Sequence, residues 1–447
     1  MAACVLLEVV LLPIGLDDLD DGYFAQQAMR IVHGQIPYRD FESLYTPGLA
    51  YVHSALFSVL GGPFMLAPRV LSLAFRVTLA ALLYVLARPL VRQPLWAALP
   101  SAVVLLGFDA APTRWEPHPG WPSTVLCVLT AWCAAHSGSR RWLIGSGLAA
   151  GAAYAFKQNA GALILLALVL HFRRRAPLPL LGFAAITLMW LVPLTVAIDG
   201  RVERLAPFVG AVNQAGLASP PEPTVAIPVA CLIGGILCRG DRRERWYLLA
   251  GACLLATQYP RADTVHLAWS APLLLVVGAS VLSRLRLPYA LGLLGAAVIL
   301  CLPSLRVRFD SVRQASTTLI GVPYANGLRA PAETWADLIN IVAEIQKRTV
   351  AGEPIFVYPT SPLLYVLAER PNPTRFDHLN PGAATATQIE QTIATLDSEN
   401  VKLVVESAFW QAAWGPPGNN VPLEAWLDAR FHEVARFGPY SIRVRDQ

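Results

Sequence analysis

Four carboxylates, Asp17, Asp18, Asp20 and Asp21, fall within five residues near the start of this 447-residue chain. So dense a cluster repels itself, and it is costly unless a proton, a cation or a hydroxyl substrate uses it. One of these acids can serve as a general base for a hydroxyl nucleophile. The Asp18-Leu19-Asp20 spacing can also share a divalent cation, although no metal is required. The competing reading is a solvated helix boundary, because Asp is common at helix starts.

Three further places carry chemistry-capable side chains. Glu116 sits in Trp115-Glu116-Pro117-His118-Pro119, where two prolines hold the loop extended. Its carboxylate can bind a sugar hydroxyl or brace a cation, or it is merely a capping acid at a loop end. Asp109 is a lesser candidate that only ends an apolar run. Lys157 is one of three lysines in the chain. A cation beside long apolar runs can hold a phosphate, or it snorkels to the bilayer surface. In the last cluster, Arg261 suits a phosphate and His266 a phosphate or hydroxyl oxygen, while an internal Arg261–Asp263 pair is the structural alternative. Arg69 and Arg76, seven apart, share one helix face; Arg76 lies near mid-span and needs an acid or phosphate partner. No Walker loop, GxGxxG, HExxH or GxSxG is present, so nothing points to a nucleotide or a nucleophilic serine.

The elements that position these residues are apolar. Mean hydropathy is +0.47. Hydrophobic residues make up 55% and charged residues 15% of the chain, against ~25% charged in soluble domains. The apolar residues form long runs rather than stripes, which describes a polytopic α-helical membrane protein. The net charge of +5 then reports topology and not nucleic acid. The seven cysteines sit in or beside apolar runs without zinc-ligand spacing, so no disulfide framework is implied.

Residues 1–16 read as a first span and not a cleaved signal peptide. Later spans are expected at 66–88, 94–108, 120–137, 142–157, 158–172, 177–199, 224–238, 246–259, 266–283 and 288–303. Arginines 88 and 92, 140 and 141, 173–175, 239–245, and 284 and 286 then all fall on one side, which the positive-inside rule makes cytoplasmic. That parity requires 49–62 to lie along the outer surface. It also requires 142–172, about 46 Å as one helix, to be two helices meeting near Lys157-Gln158-Asn159. The expectation is about 11 transmembrane helices over 1–303, with the N-terminus cytoplasmic and the acidic first loop, 17–48, outside. Residues 304–447 change composition and read as a small extracytoplasmic α/β domain. Its expected helices are Ala332–Arg348 and Ala384–Leu396. Its expected strands are Pro354–Tyr358 and Lys402–Glu406, followed by a hairpin of Glu433–Phe437 with Ser441–Val444.

Four motifs in this order resemble the GT-C superfamily of membrane glycosyltransferases, near the protein O-mannosyltransferase and aminoarabinose transferase branch. They are Asp20-Asp21-Gly22-Tyr23 leading to Gly34-Gln35-Ile36-Pro37-Tyr38; Tyr45-Thr46-Pro47-Gly48; Glu116-Pro117; and the Lys157 corner followed by Tyr259-Pro260-Arg261-Ala262-Asp263. The chain has Asp21 where the family often has Glu. The resemblance covers roughly residues 1–303. It implies a hexosyl- or pentosyltransferase of a bacterial-type inner or plasma membrane, which takes a sugar from a polyprenyl-phosphate carrier. The acceptor would be a lipid, glycan or protein outside the cytoplasm, reached by inverting transfer. Asp20, with Asp21 beside it, would be catalytic. Lys157, Arg261 and His266 would hold the donor phosphate, and Glu116, Asp18, Tyr45 and Asp263 would contact substrate. Membrane lipids are the other expected partners. A transporter or flippase of lipid-linked sugars is the alternative, but the chain lacks the paired halves such proteins show.

Overall fold

The computed structural model describes residues 2–108, 117–205, 221–259, 262–381 and 383–446. Its N-terminal part is helical: α1 (Ala2–Leu11), α2 (Asp20–Val32), α3 (Gly48–Leu60), α4 (Leu66–Ala87), α5 (Pro94–Ala102), α6 (Gly120–Ala135), α7 (Arg140–Phe156), α8 (Gln158–Phe172), α9 (Pro177–Ala197), α10 (Ala226–Cys238), α11 (Arg242–Leu255), α12 (Thr264–Ser270), α13 (Pro272–Arg284) and α14 (Leu287–Gln314). Among the described residues, three helices are long and apolar enough to cross a membrane: Leu66–Leu90, α9 and α14. The pair α12 and α13, bent by 78°, adds a fourth if it is one broken span. The expected span 266–283 is this broken pair. Pro272 has no N–H to continue the α12 ladder, so the chain turns at Ala271. α14 runs through Pro303 to Gln314, so the expected domain boundary lies inside a helix.

One buried cluster of charged side chains inside the bundle is paired, as burial demands. Glu8 of α1 sits between Arg76 of α4 at 3.2 Å and Arg308 of α14 at 3.3 Å, with all three buried. This is the acid partner that Arg76 needs, and it ties three helices together. The chain doubles back between α7 and α8. A Cβ at Gly161 would lie 2.3 Å from the backbone of Tyr154, so only glycine allows the fold. α7 and α9 approach as closely, since a Cβ at Gly147 would meet Pro179 O at 2.0 Å.

The C-terminal part follows as β1 (Thr317–Thr318), β2 (Arg329–Ala330), α15 (Ala332–Arg348), β3 (Phe356–Tyr358), α16 (Leu363–Ala368), α17 (Ala386–Ser398), β4 (Leu403–Ser407), α18 (Ala408–Trp414), α19 (Val421–Arg430), β5 (Phe431–Phe437) and β6 (Tyr440–Arg445). The main sheet has the order β3-β4-β6-β5; β3 and β4 are parallel and the other pairs antiparallel. Alternation along β4 sends Leu403 and Val405 toward Trp335, Leu338 and Val342 of α15. Val404 goes to the other face, toward Ile389, Leu396, Leu423 and Leu427 of α17 and α19.

This part is docked on the first loop. α16 packs on α2, and a Cβ at Gly22 would lie 2.3 Å from Leu363 N. Arg30 and Asp377 form a buried ion pair at 3.0 Å. Tyr23 stacks on His378 at 4.5 Å, and Arg375 donates to Tyr38 O at 2.9 Å.

Candidate active site

The acidic turn joins α1 to α2. Its backbone is held by β2: Gly15 N–H donates to Arg329 O and Arg329 N–H to Pro13 O, both at 2.7 Å. The four carboxylates have different surroundings. Asp21 is buried and accepts from Arg69 Nη2 at 2.5 Å and from Asp17 N–H at 3.1 Å. Arg69, fully buried, also donates to Leu12 O and Ile14 O at 3.2 Å, so α4 braces the turn. Asp18 Oδ2 accepts from Ser361 Oγ, from Trp410 Nε1 at 3.0 Å and from Tyr440 OH at 2.9 Å. Asp17 Oδ1 accepts from Leu19 N–H at 2.8 Å and Asp20 N–H at 3.4 Å. Asp20 is the first residue of α2 and is half-buried.

Burial, followed by the charges of Asp20, Asp18 and Asp21, pushes the Asp17 carboxyl up to about 8, against the pull of the Leu19 N–H. At neutral pH Asp17 therefore holds its proton, and the cluster carries one charge fewer than its composition suggests. In the unfolded chain the same carboxyl titrates near the usual ~3.9. The native state thus binds the extra proton, and stability falls as pH rises from about 4 to about 8. Asp17→Asn cannot lose that proton, so its unfolding temperature relative to the parent should rise from pH 5 to pH 9. A pH-independent difference in thermal scans would contradict the raised value.

A second group assembles at the break between α7 and α8. Lys157 is buried there, with Nζ 4.2 Å from the ring centroid of Trp269. Trp269 stacks on His118, with centroids 4.0 Å apart and planes 6° apart. A Cβ at Gly120 would lie 2.3 Å from this indole, so only glycine admits it. His118 Nδ1 accepts from Gly120 N–H at 2.9 Å, which leaves Nε2 to carry the proton of the neutral ring toward Tyr45 OH at 3.1 Å. Asp263 caps α12, accepting from His266 N–H at 2.9 Å, and its Oδ1 lies 2.7 Å from His266 Nδ1. The His266 ring is edge-on to Trp269 at 5.2 Å. Phe24, one turn along α2 from Asp20, touches both His118 at 5.6 Å and Tyr45 at 5.8 Å.

The structure thus brings Tyr45, Lys157, Asp263 and His266 around one aromatic pair, and Phe24 joins that pair to the acidic turn. Asp18 instead faces the C-terminal part. Glu116 and Arg261, like Asp109, lie outside the described residues. Sequence reasoning missed Trp269 and gave His118 no role. The available signal was local: Trp269 follows His266 by three, one helical turn, and His118 ends the Pro-bracketed loop. Asp18 Oδ2, one of the oxygens a cation shared by Asp18 and Asp20 would use, already accepts from three N–H and O–H donors. Among the described residues no group of three or more His, Cys, Asp or Glu is arranged to hold a metal.

The Asp21–Arg69 pair predicts its own loss. Arg69→Met leaves a buried carboxylate uncompensated and should cost about 3–5 kcal/mol, read as a lower unfolding temperature in detergent. Adding Asp21→Asn should recover much of it. A cost below about 1 kcal/mol would mean that the pair behaves as a solvated one.

No family model and no curated protein matches the chain. Solved structures do. ArnT from Cupriavidus metallidurans bound to undecaprenyl phosphate is 14% identical with a TM-score of 0.60, over 99% of this chain and 96% of that one. The Archaeoglobus fulgidus oligosaccharyltransferase in complex with Zn and sulfate is 12% identical with a TM-score of 0.59, over 97% and 71%. The oligosaccharyltransferase AglB from the same organism, with an inhibitory peptide and a dolichol-phosphate, is 11% identical with a TM-score of 0.57, over 100% and 74%. Over nearly its whole length this chain shares the fold of these three structures.

Proposed function

We propose that this protein is a membrane glycosyltransferase that moves a hexosyl or pentosyl group from a polyprenyl-phosphate carrier to an acceptor on the extracytoplasmic side. The observation that carries the reading is the joining of the acidic turn to the Lys157 corner through Phe24, His118 and Trp269 on a GT-C fold. Two of the similar structures hold undecaprenyl phosphate or dolichol-phosphate, which supports a carrier of that class here.

In the proposed reaction Asp20 takes the proton of the acceptor hydroxyl as its oxygen attacks the anomeric carbon. The bond from that carbon to the phosphate oxygen breaks with its electron pair, and the anomeric configuration inverts. Lys157, with Arg261 and His266, stabilises the departing polyprenyl phosphate. Tyr45 and Glu116 are assigned to the sugar or acceptor hydroxyls. Asp263 orients His266, and Asp21 is held by Arg69 to fix the turn. Asp18 is assigned to anchoring residues 304–447, whose proposed task is to shape acceptor access. The divalent cation is left out of this scheme.

The arginine clusters support eleven spans, a cytoplasmic N-terminus and an extracytoplasmic C-terminal domain in an inner or plasma membrane. A reporter fused after Arg175 or Arg243 should then be cytoplasmic and one after Gln447 outside. A cytoplasmic C-terminus would remove the outer active site. The function itself is tested in nanodiscs with sugar-linked polyprenyl phosphates. Release of free polyprenyl phosphate together with a glycosylated acceptor is expected. Movement of intact lipid-linked sugar between leaflets, without cleavage, would replace this reading with a flippase.

A further inference from the structure

A polar cavity lies at the far end of the bundle. It has a volume of about 290 Å³ and is lined by Ser137 and Gly138 after α6, His171 at the end of α8, and Arg242, Arg243 and Trp246 at the start of α11. α8 separates it from Lys157: its 15 residues span about 22 Å at 1.5 Å per residue. The cavity therefore belongs to the opposite membrane surface and shares no lining residue with the site above.

Its lining holds two arginines and no acid. Arg242 and Arg243 are exposed and have no carboxylate partner among the described residues. The two nearest acids in sequence are engaged elsewhere. Asp241 and Glu244 form the capping box of α11, and Glu244 also accepts from Arg284 at 2.5 Å. The wall is rigid. Trp246 Nε1 donates to Ala131 O at 2.9 Å, and the His171 ring lies 4.9 Å from the Trp246 indole. Trp132 and Trp142 pack edge-to-face at 5.1 Å near the same end, and such aromatic residues mark the headgroup level of a bilayer. Two guanidinium forks over a walled pocket at that level match a phosphate group. Basic pockets between membrane helices on the cytoplasmic side take phospholipid head groups.

We propose that this cavity binds the phosphate of an anionic phospholipid head group in the leaflet opposite the acidic turn. Only the name of that leaflet, cytoplasmic, rests on the orientation proposed above. The site requires no sugar transfer, so it stands or falls separately from the glycosyltransferase reading.

The test is native mass spectrometry of the full chain titrated with phosphatidylglycerol, phosphatidylcholine or inorganic phosphate. Three proteins are compared: the parent, the Arg242→Ala/Arg243→Ala variant and an Arg174→Ala/Arg175→Ala control of equal charge loss. Thermal scans confirm that each is folded. Phosphatidylglycerol should bind the parent in preference to phosphatidylcholine. It should bind the Arg242→Ala/Arg243→Ala protein about tenfold or more weakly, and the control as it binds the parent. Inorganic phosphate at equal concentration should not displace it. Equal binding of the two lipids, or equal weakening in the control, would overturn the proposal, since either means that general surface charge suffices. Displacement by inorganic phosphate would overturn the lipid assignment and leave a free-anion site.

Discussion

Asp20→Asn should lower turnover by about 10²–10⁴-fold, the usual contribution of a general base, while donor binding persists. Asn keeps the size of the side chain and one oxygen acceptor but cannot take the acceptor's proton. The neighbouring acids have other tasks. Asp21 is paired with buried Arg69, Asp18 accepts from three donors of the C-terminal part, and the Asp17 carboxyl is pushed up to about 8 by burial and by its acidic neighbours. Asp20 stands at the first position of α2. Donor affinity should hold or improve, because no phosphate contact is lost and one negative charge near it disappears. Turnover and lipid-donor binding would be measured side by side in nanodiscs. Near-normal turnover would reassign the base to Asp21, Asp18 or Glu116.

Lys157→Met should act on the other side of the reaction. The substitution keeps the apolar stem in its buried place and removes the ammonium over Trp269. A hydrogen bond to a charged group is worth about 1.5–3 kcal/mol, so donor affinity should fall by roughly 10–150-fold. Loss of one preorganised donor to a developing anion typically slows chemistry by about 10²–10³-fold, so turnover at saturating donor should fall as well. Asp20→Asn and Lys157→Met thus separate cleanly, since the first spares donor binding and the second does not. Unchanged donor binding in Lys157→Met would return the lysine to a structural role, a cation seated on an indole face.

Much of the architecture was legible because its causes are local. Apolar stretches too short to span and an amphipathic segment placed β3, β4, β5 and β6 and the helices α15 and α17 to within a few residues. Arginines at both ends of 142–172 required a break, and the chain does break at Lys157. Two boundaries were less legible. Pro272 splits a run that reads as one apolar segment, while Pro303 fails to end α14. A proline alone does not say whether its neighbours will bend away or continue, since that depends on what each side packs against.

The amino-acid sequence by itself determined that this chain is apolar and helical, that it ends in a small α/β unit, and that four acids crowd one turn. Those are properties of composition, period and spacing. Which of the four acids faces what was decided only by the tertiary structure. The partners of Asp18 lie 343, 392 and 422 positions away along the chain, and Arg69 reaches Asp21 across 48. The Lys157 corner likewise owes its aromatic floor to Trp269 of α12 and to His118 from the loop before α6. Neighbouring aspartates are chemically identical until the fold gives each its own dielectric, donors and charges, and no local pattern carries that difference.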